Sequence, residues 1–191
     1  MSKQEKRGKI VQAALALIAE HGFHGAPVAT IAARARVGAG TIYRHFENKD
    51  ELIAALYREL EGQIHAAILK GYAPEEPVRG RFLHLGSALL RYFIENPLDF
   101  RYLEQFHNSP YGVVFRRNKF LGENHGNDIF RELFQEGVSR KVLKDLPLVI
   151  LFALAFGPLL AAARDNILGL VCLDDKLITR TIAACWDAIR I

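Results

Sequence analysis

Along most of the chain, apolar side chains return every three or four positions, the spacing that gathers them on one side of an α-helix. Ile10 to Glu20 is an apolar helix that gives way to Gly22 and Phe23. Val28, Ile31, Ala32 and Ala35 share one face of a short helix, and Ile42 with Phe46 mark the inward side of a second, from Ala39 to His45. Arg36, Val37 and Gly38 interrupt the pattern between them. Asn48 is a good N-cap and Glu51 sits three residues later, as in a capping box, so another helix begins at Lys49 and runs to about Leu69. Gly71 to Pro77 is a loop. Val78 to Glu95 then carries Phe82, Leu85, Leu89 and Tyr92 on one side. Asn96, Pro97 and Asp99 start the next helix, because asparagine caps and proline is preset for a first turn; it ends before Pro110. Tyr111 to Gly126 stays unassigned, with His125 and Gly126 in a loop, ahead of a helix from about Asn127 to Ser139. Leu148–Leu168 and Lys176–Ile191 are the last two helices, the second capped by Asp174 or Asp175. The expected fold class is all-α, divided into residues 1–50 and residues 51–191.

Two short helices across a tight turn, with a third behind them, form a helix-turn-helix. Its second helix turns Ile42 and Phe46 inward and leaves Ala39, Gly40, Thr41, Tyr43, Arg44 and His45 outward, small and hydrogen-bonding residues that suit a DNA major groove. Thr41, Tyr43 and His45 are the candidates for base and phosphate contacts, with Tyr43 and Lys49 on the backbone at the ends of the reading surface. Lys49 lies in a first helical turn, where the macrodipole disfavours a cation by about 0.3 to 1 kcal/mol. A DNA phosphate reverses the sign of that cost.

Tyr43, Arg44, His45 and Phe46, followed by Asn48, Lys49, Asp50, Glu51 and Leu52, resemble the DNA-binding domain of the TetR family of bacterial repressors. The resemblance covers roughly the first quarter of the chain and implies a homodimer, a DNA operator of two-fold symmetry and a helical second domain for a small-molecule effector. Three positions depart from the family pattern. Pro27, suited to a first helical position, stands where a threonine usually opens the motif. Arg36 stands in the turn where the family has glycine, and a non-glycine residue in a left-handed turn costs about 1 to 2 kcal/mol; a phosphate within reach of Arg36 offsets part of that. Gly38 replaces the serine that commonly caps the reading helix and is a weaker cap.

Charge supports a polyanionic partner by its distribution. Lys3, Lys6, Arg7, Lys9, Arg34, Arg36, Arg44 and Lys49 face only Glu5, Glu20, Glu47 and Asp50 in the first 50 residues, so the whole formal net charge of +4 sits there. A basic tail over Lys3 to Lys9 is ordinarily just solvated; beside a helix-turn-helix it adds non-specific phosphate contacts. Cys172 and Cys185 make no disulfide framework and are expected as small core or interface residues, in a cytoplasmic protein without a signal peptide. Leu146 to Ala163 has no charge and reaches the length of a membrane span. Pro147, Gly157 and Pro158 punctuate it, and a buried core and interface helix is the better reading.

That helix places Ala153, Gly157 and Ala161 on one stripe, which lets another helix approach closely. The last helix has two apolar stripes, Ile178, Ile182, Cys185 and Ile189 on one side and Leu177, Thr181, Ala184 and Ala188 on the other. One stripe serves the chain's own core and the other a partner, giving a four-helix dimer interface. The middle of the chain is crowded with aromatics, ordinary core for the most part. The resemblance raises the alternative of an effector pocket, with Phe82, His84, Leu85, Tyr92, Tyr102, Phe106, His107, Phe130 and Phe134 as its candidates, and Arg101, Gln105 and Asn108 as further polar groups. No catalytic residues, metal site or cofactor are expected: His21 and His24 lack a third ligand at useful spacing, and neither a phosphate-cradling glycine loop nor a nucleophile elbow is present. Two rival readings are a dimeric regulator without a ligand and an interaction protein whose helix-turn-helix no longer binds DNA.

Overall fold

A computed structural model describes residues 2–121 and 128–191, which form ten helices: α1 Lys3–His21, α2 Val28–Ala35, α3 Ala39–Tyr43, α4 Lys49–Leu69, α5 Val78–Glu95, α6 Pro97–His107, α7 Pro110–Leu121, α8 Ile129–Ser139, α9 Leu148–Ile167 and α10 Asp175–Ile189. Among the described residues the only β-type pairing is an isolated bridge between Leu143 and Arg190.

Most boundaries follow the hydrophobic pattern, and the exceptions have local causes. α1 begins seven residues before Ile10, so Lys3 to Lys9 is helix and not a tail. Ser2 starts it with a capping box: its hydroxyl accepts from the Glu5 backbone N–H at 3.1 Å, and the Glu5 carboxylate accepts from the Ser2 backbone N–H at 2.5 Å. Pro27 is the N-cap of α2 and Val28 its first helical residue, so proline stands one place earlier than expected. α3 stops at Tyr43, after which Arg44 and His45 make a turn. Pro110, preset for a first turn, opens α7 through the stretch that periodicity left unassigned. The expected loop at His125 and Gly126 and the expected helix start at Asn127 lie outside the described residues; Asp128 caps α8, accepting from the Phe130 and Arg131 backbone N–H groups.

Contacts divide the chain into two compact units, Met1–Gln63 with Asn96–Val113, and Ile64–Glu95 with Val114–Ile191. The division expected at residue 50 is therefore not where packing changes. α4 continues past Gln63 from one unit into the other, and α6 returns to the first unit to pack on α1. Sequence periodicity cannot reveal such a return, because it records only which face is apolar.

In the first unit, Ile10, Ala14 and Ile18 of α1 are fully buried with Ile31, Ile42, Leu52, Ile53 and Tyr102. Each isoleucine or leucine so removed from water contributes about 1.5 to 3 kcal/mol before the entropy of ordering it is subtracted. In the second unit, α9 packs through Leu151, Ala155, Leu159 and Ala163 against α5, α8 and α10, and α10 through Ile178, Ile182, Cys185, Trp186 and Ile189 against α5 and α9. Gly86 is where α5 and α10 approach: a Cβ there would stand 2.8 Å from Ile182 Cγ2. Of the two cysteines, Cys185 is buried in the core and Cys172 is exposed in the connection between α9 and α10.

Candidate nucleic-acid interface

α2, the turn after it and α3 form the helix-turn-helix, and each joint has an identifiable fastening. α2 buries Ile31, Ala32 and Ala35 and is tied to α1 by a two-pronged ion pair, Arg34 to the Glu20 carboxylate at 2.7 and 2.9 Å. That pair holds the Glu20 carboxyl below the usual carboxylate range. Arg34 is thereby a structural cation. Arg36 adopts the left-handed conformation, φ 55° and ψ 46°. Its N–H donates to the Ala33 carbonyl at 3.1 Å and the next N–H, of Val37, to the Ala32 carbonyl at 3.0 Å. This is the Schellman pattern, ordinarily completed by glycine. Gly38, extended at φ −71°, then caps α3 without a side-chain hydrogen bond.

α3 turns Ile42 inward, with Phe46 buried just beyond its end. Ala39, Gly40, Tyr43 and Arg44 are exposed, Tyr43 at 55%, while Thr41 and His45 are half-buried. Arg44 donates to the Thr41 hydroxyl at 3.0 Å, one turn away on the same surface. His45 has its imidazole held below the ordinary histidine value, first by burial and then by the charges of Lys3, Arg44, Arg7 and Lys6.

Lys49 is placed differently from a simple solvent-facing phosphate ligand. Its ammonium is half-buried and donates to the Phe23 carbonyl at 2.7 Å, which ties the start of α4 to the end of α1, and burial lowers its pKa. An ammonium has three donors, so this bond leaves others for a second acceptor. Glu51 accepts from the Glu47 backbone N–H and gives its own N–H to Asn48 Oδ1 at 2.9 Å. Asn48 thus caps α4 as expected, although the reciprocal bond reaches one residue further back than a capping box would. Asp50 accepts a 2.6 Å hydrogen bond from the Tyr111 hydroxyl. With burial, that carboxylate pushes the tyrosine up to about 12. The Tyr111 ring packs on Phe23 at 5.3 Å between centroids. Tyr111, Arg34 and Arg7 are the supporting residues that periodicity misses, because each reaches a partner 14 or more positions away.

The nine residues proposed from sequence for an effector pocket are shared between the two units. Tyr102, Phe106 and His107 belong to the first unit and the other six to the second. Tyr102 is fully buried, donates to the Ile53 carbonyl at 3.3 Å and has its pKa raised by that burial; Phe106 stacks on Tyr57 at 4.2 Å. Both are core. In the second unit Phe130 and Phe134 join Phe152 and Phe156, with centroids 4.7 to 6.0 Å apart. His84 bonds the Ile68 carbonyl at 3.1 Å. A cavity of about 280 Å³ is lined by Phe134, Gln135, Val138, Ser139, Leu146, Leu148 and Leu151. Phe134 alone of the nine lines it.

On α9 Ala153, Gly157 and Ala161 are exposed with Ile150 and Leu154, while on α10 Ala184 is exposed and Leu177, Thr181 and Ala188 are half-buried. α9 is long and apolar enough to cross a membrane by length and composition, and only 22% of that window is buried within the chain, through its packing on α5, α8 and α10, less than the buried core helix expected from sequence.

Comparison with known proteins gives this geometry its context. The family model described as bacterial regulatory proteins, tetR family, matches residues 10–56, and the model described as tetracyclin repressor-like, C-terminal domain, matches residues 77–190. An uncharacterized HTH-type transcriptional regulator of Haemophilus influenzae is 24% identical over 189 residues, covering 99% of this chain and 98% of the relative. The fatty acid metabolism regulator protein of Bacillus subtilis is 43% identical over 61 residues, a match spanning 32% of this chain and 31% of that protein. A TetR-family transcription regulator from Marinobacter aquaeolei has the same fold, with a TM-score of 0.84 at 24% identity, covering 98% of this chain and 96% of that one. Since the second of the two family models alone takes in more than half of the residues, and the first falls on the helix-turn-helix just described, the chain belongs to the TetR family of DNA-binding transcriptional regulators.

Proposed function

We propose that this regulator is a homodimeric repressor that reads a two-fold symmetric operator and releases it on binding an apolar or aromatic small molecule in the cytoplasm. The observation that carries the reading is the outward face of α3 and of the turn after it: Ala39, Gly40, Tyr43 and Arg44 are exposed, over the buried anchors Ile42 and Phe46. Small residues let the helix sink into a major groove, and Thr41, Tyr43, Arg44 and His45 supply donors and acceptors for base edges and phosphates. Arg36 and Lys49 flank that face as backbone contacts. The exposed Ala153, Gly157 and Ala161 stripe with the Leu177, Thr181, Ala184 and Ala188 side of α10 supports a four-helix dimer interface. A dimer holds two reading helices roughly 34 to 36 Å apart, one DNA turn, or a multiple of it. An effector that favours another separation weakens DNA binding through α4, which runs from Lys49 beyond Gln63 into the second unit. The apolar cavity between α8 and α9 supports an apolar effector. The Bacillus subtilis relative is a fatty acid metabolism regulator, so acyl compounds belong beside aromatics in the panel screened.

Selection of random duplexes on the purified protein at fixed, near-physiological salt tests the reading. The expected product is a palindromic site. Recovery of only unspecific, steeply salt-dependent binding would overturn it and favour an interaction protein.

A further inference from the structure

We propose that the effector of the α8–α9 cavity carries an uncharged head group with a hydrogen-bond donor, an alcohol or a primary amide on an apolar body, and that Gln135 and Ser139 select that group against a carboxylate. This rests on the effector role proposed above and narrows it to one chemistry.

The cavity has a floor and a mouth of different character. Phe134 and Leu151 are fully buried at its floor, and Val138, Leu146 and Leu148 are half-buried around it. Gln135 and Ser139 are its two polar lining residues. Both are exposed and so stand at the mouth, four positions apart and therefore on the same side of α8. At about 280 Å³ the space holds roughly nine waters at about 30 Å³ each. An apolar body that displaces that water from the floor leaves its head group at the mouth.

Three features of the mouth favour a donor. The Ser139 hydroxyl gives its one proton to the Glu136 carbonyl at 2.8 Å, so towards a ligand it only accepts. The Gln135 side chain has no hydrogen-bond partner among the described residues and offers an acceptor oxygen beside a donor amide. Gln135, Val138 and Ser139 also occupy the last turn and a half of α8, at the negative end of the helix macrodipole, which favours a donor and disfavours an anion. A primary amide pairs reciprocally with Gln135 and keeps a second proton for Ser139, and a hydroxyl donates to one of them while accepting from Gln135. A carboxylate has no proton to give; it leaves both protein oxygens unanswered and adds negative charge at a helix C-terminus. No charged residue lines the cavity to offset that charge. Arg140 turns to Glu136 at 3.1 Å, Lys144 to the Ala188 carbonyl at 2.7 Å, and the exposed Lys141 and Asp145 are of opposite sign.

Isothermal titration of the full chain with octanamide, octan-1-ol and octanoate at neutral pH tests the assignment. Octanamide and octan-1-ol should bind about tenfold tighter than octanoate, the scale of one unanswered hydrogen bond. In a Gln135→Leu, Ser139→Ala double variant, changed only at exposed positions, octanamide should weaken about tenfold to the level of octanoate while the ligand-free melting temperature stays that of the wild type. Octanoate binding as tightly as octanamide overturns this inference and leaves the cavity standing as the effector site, as does a double variant that keeps the full preference. Binding of none of the three, or binding that survives Val138→Trp, overturns the effector role of the cavity as well.

Discussion

Arg36 holds a backbone conformation that suits glycine better than an arginine. Its left-handed backbone closes α2, and the hydrogen bonds of that turn require the conformation whatever the side chain. Lys141 repeats the situation after α8, with φ 56°. An L-residue in this region is disfavoured by about 1 to 2 kcal/mol, and glycine removes the strain while giving part of it back as unfolded-chain entropy. Arg36→Gly should therefore stabilise the protein by about 0.5 to 1 kcal/mol in urea unfolding, and it should also weaken DNA binding if Arg36 reaches a phosphate. Gain of stability with unchanged DNA affinity would remove Arg36 from the interface while leaving the turn geometry intact. Lys49 belongs to the same scale. Lys49→Ala should lower affinity for all sequences alike, whereas Thr41→Val should change which sequences are selected. Because Lys49 also bonds the Phe23 carbonyl, its substitution should lower stability as well, by about 1 kcal/mol for the lost hydrogen bond.

At the scale of elements, two glycines on neighbouring helices separate packing from assembly. Gly86 faces Ile182 at a distance that leaves no room for a Cβ, while a Cβ on Gly157 meets nothing within 4 Å of the chain itself. Gly86→Ala should destabilise the fold by about 1 to 3 kcal/mol through overpacking. Gly157→Leu should leave the helix content unchanged, yet shift a dimer to monomer in sedimentation analysis by holding a partner helix off the stripe. A Gly157→Leu protein that stays dimeric would place the interface elsewhere. α6 shows why element order and packing are different questions. Asn96 and Pro97 announce its start locally, but its docking on α1, through which Tyr102 and Phe106 become core of the first unit, is a long-range matter.

For the whole molecule, α4 belongs to both units, and the proposed coupling of effector to operator would run through that continuity of the chain. A ligand of the α8–α9 cavity present at about 100 times its dissociation constant should stabilise the free protein by roughly 2.7 kcal/mol in a thermal-shift screen. It should lower operator affinity by the same factor by which operator lowers its own. Val138→Trp, at the cavity wall, should abolish the shift. A ligand that stabilises the protein but leaves operator affinity unchanged would bind without regulating. If stabilisation survives Val138→Trp, the effector occupies a different site.

The local code was sufficient for the helix-turn-helix and for most helices, the exceptions being α7 and the first two turns of α1. Periodicity at three and four, Asn48 as a cap, Pro97 as a first-turn residue and the Arg36 to Gly38 interruption depend on neighbours within a turn or two, and the structure places helices where they indicate. Exposure of the α3 face and of the Ala153, Gly157 and Ala161 stripe followed from the same short-range logic. What joins distant positions was decided only in three dimensions. Arg34 with Glu20, Arg7 with Phe46 and Glu59, Lys49 with Phe23, and Tyr111 with Asp50 are pairs separated by 14 to 61 positions or joined across separate helices. Nothing in either partner's neighbourhood marks the other. The distribution of aromatics between two units has the same origin: helical spacing tells which face of a helix is buried, while the neighbour that buries it is set by how the helices dock.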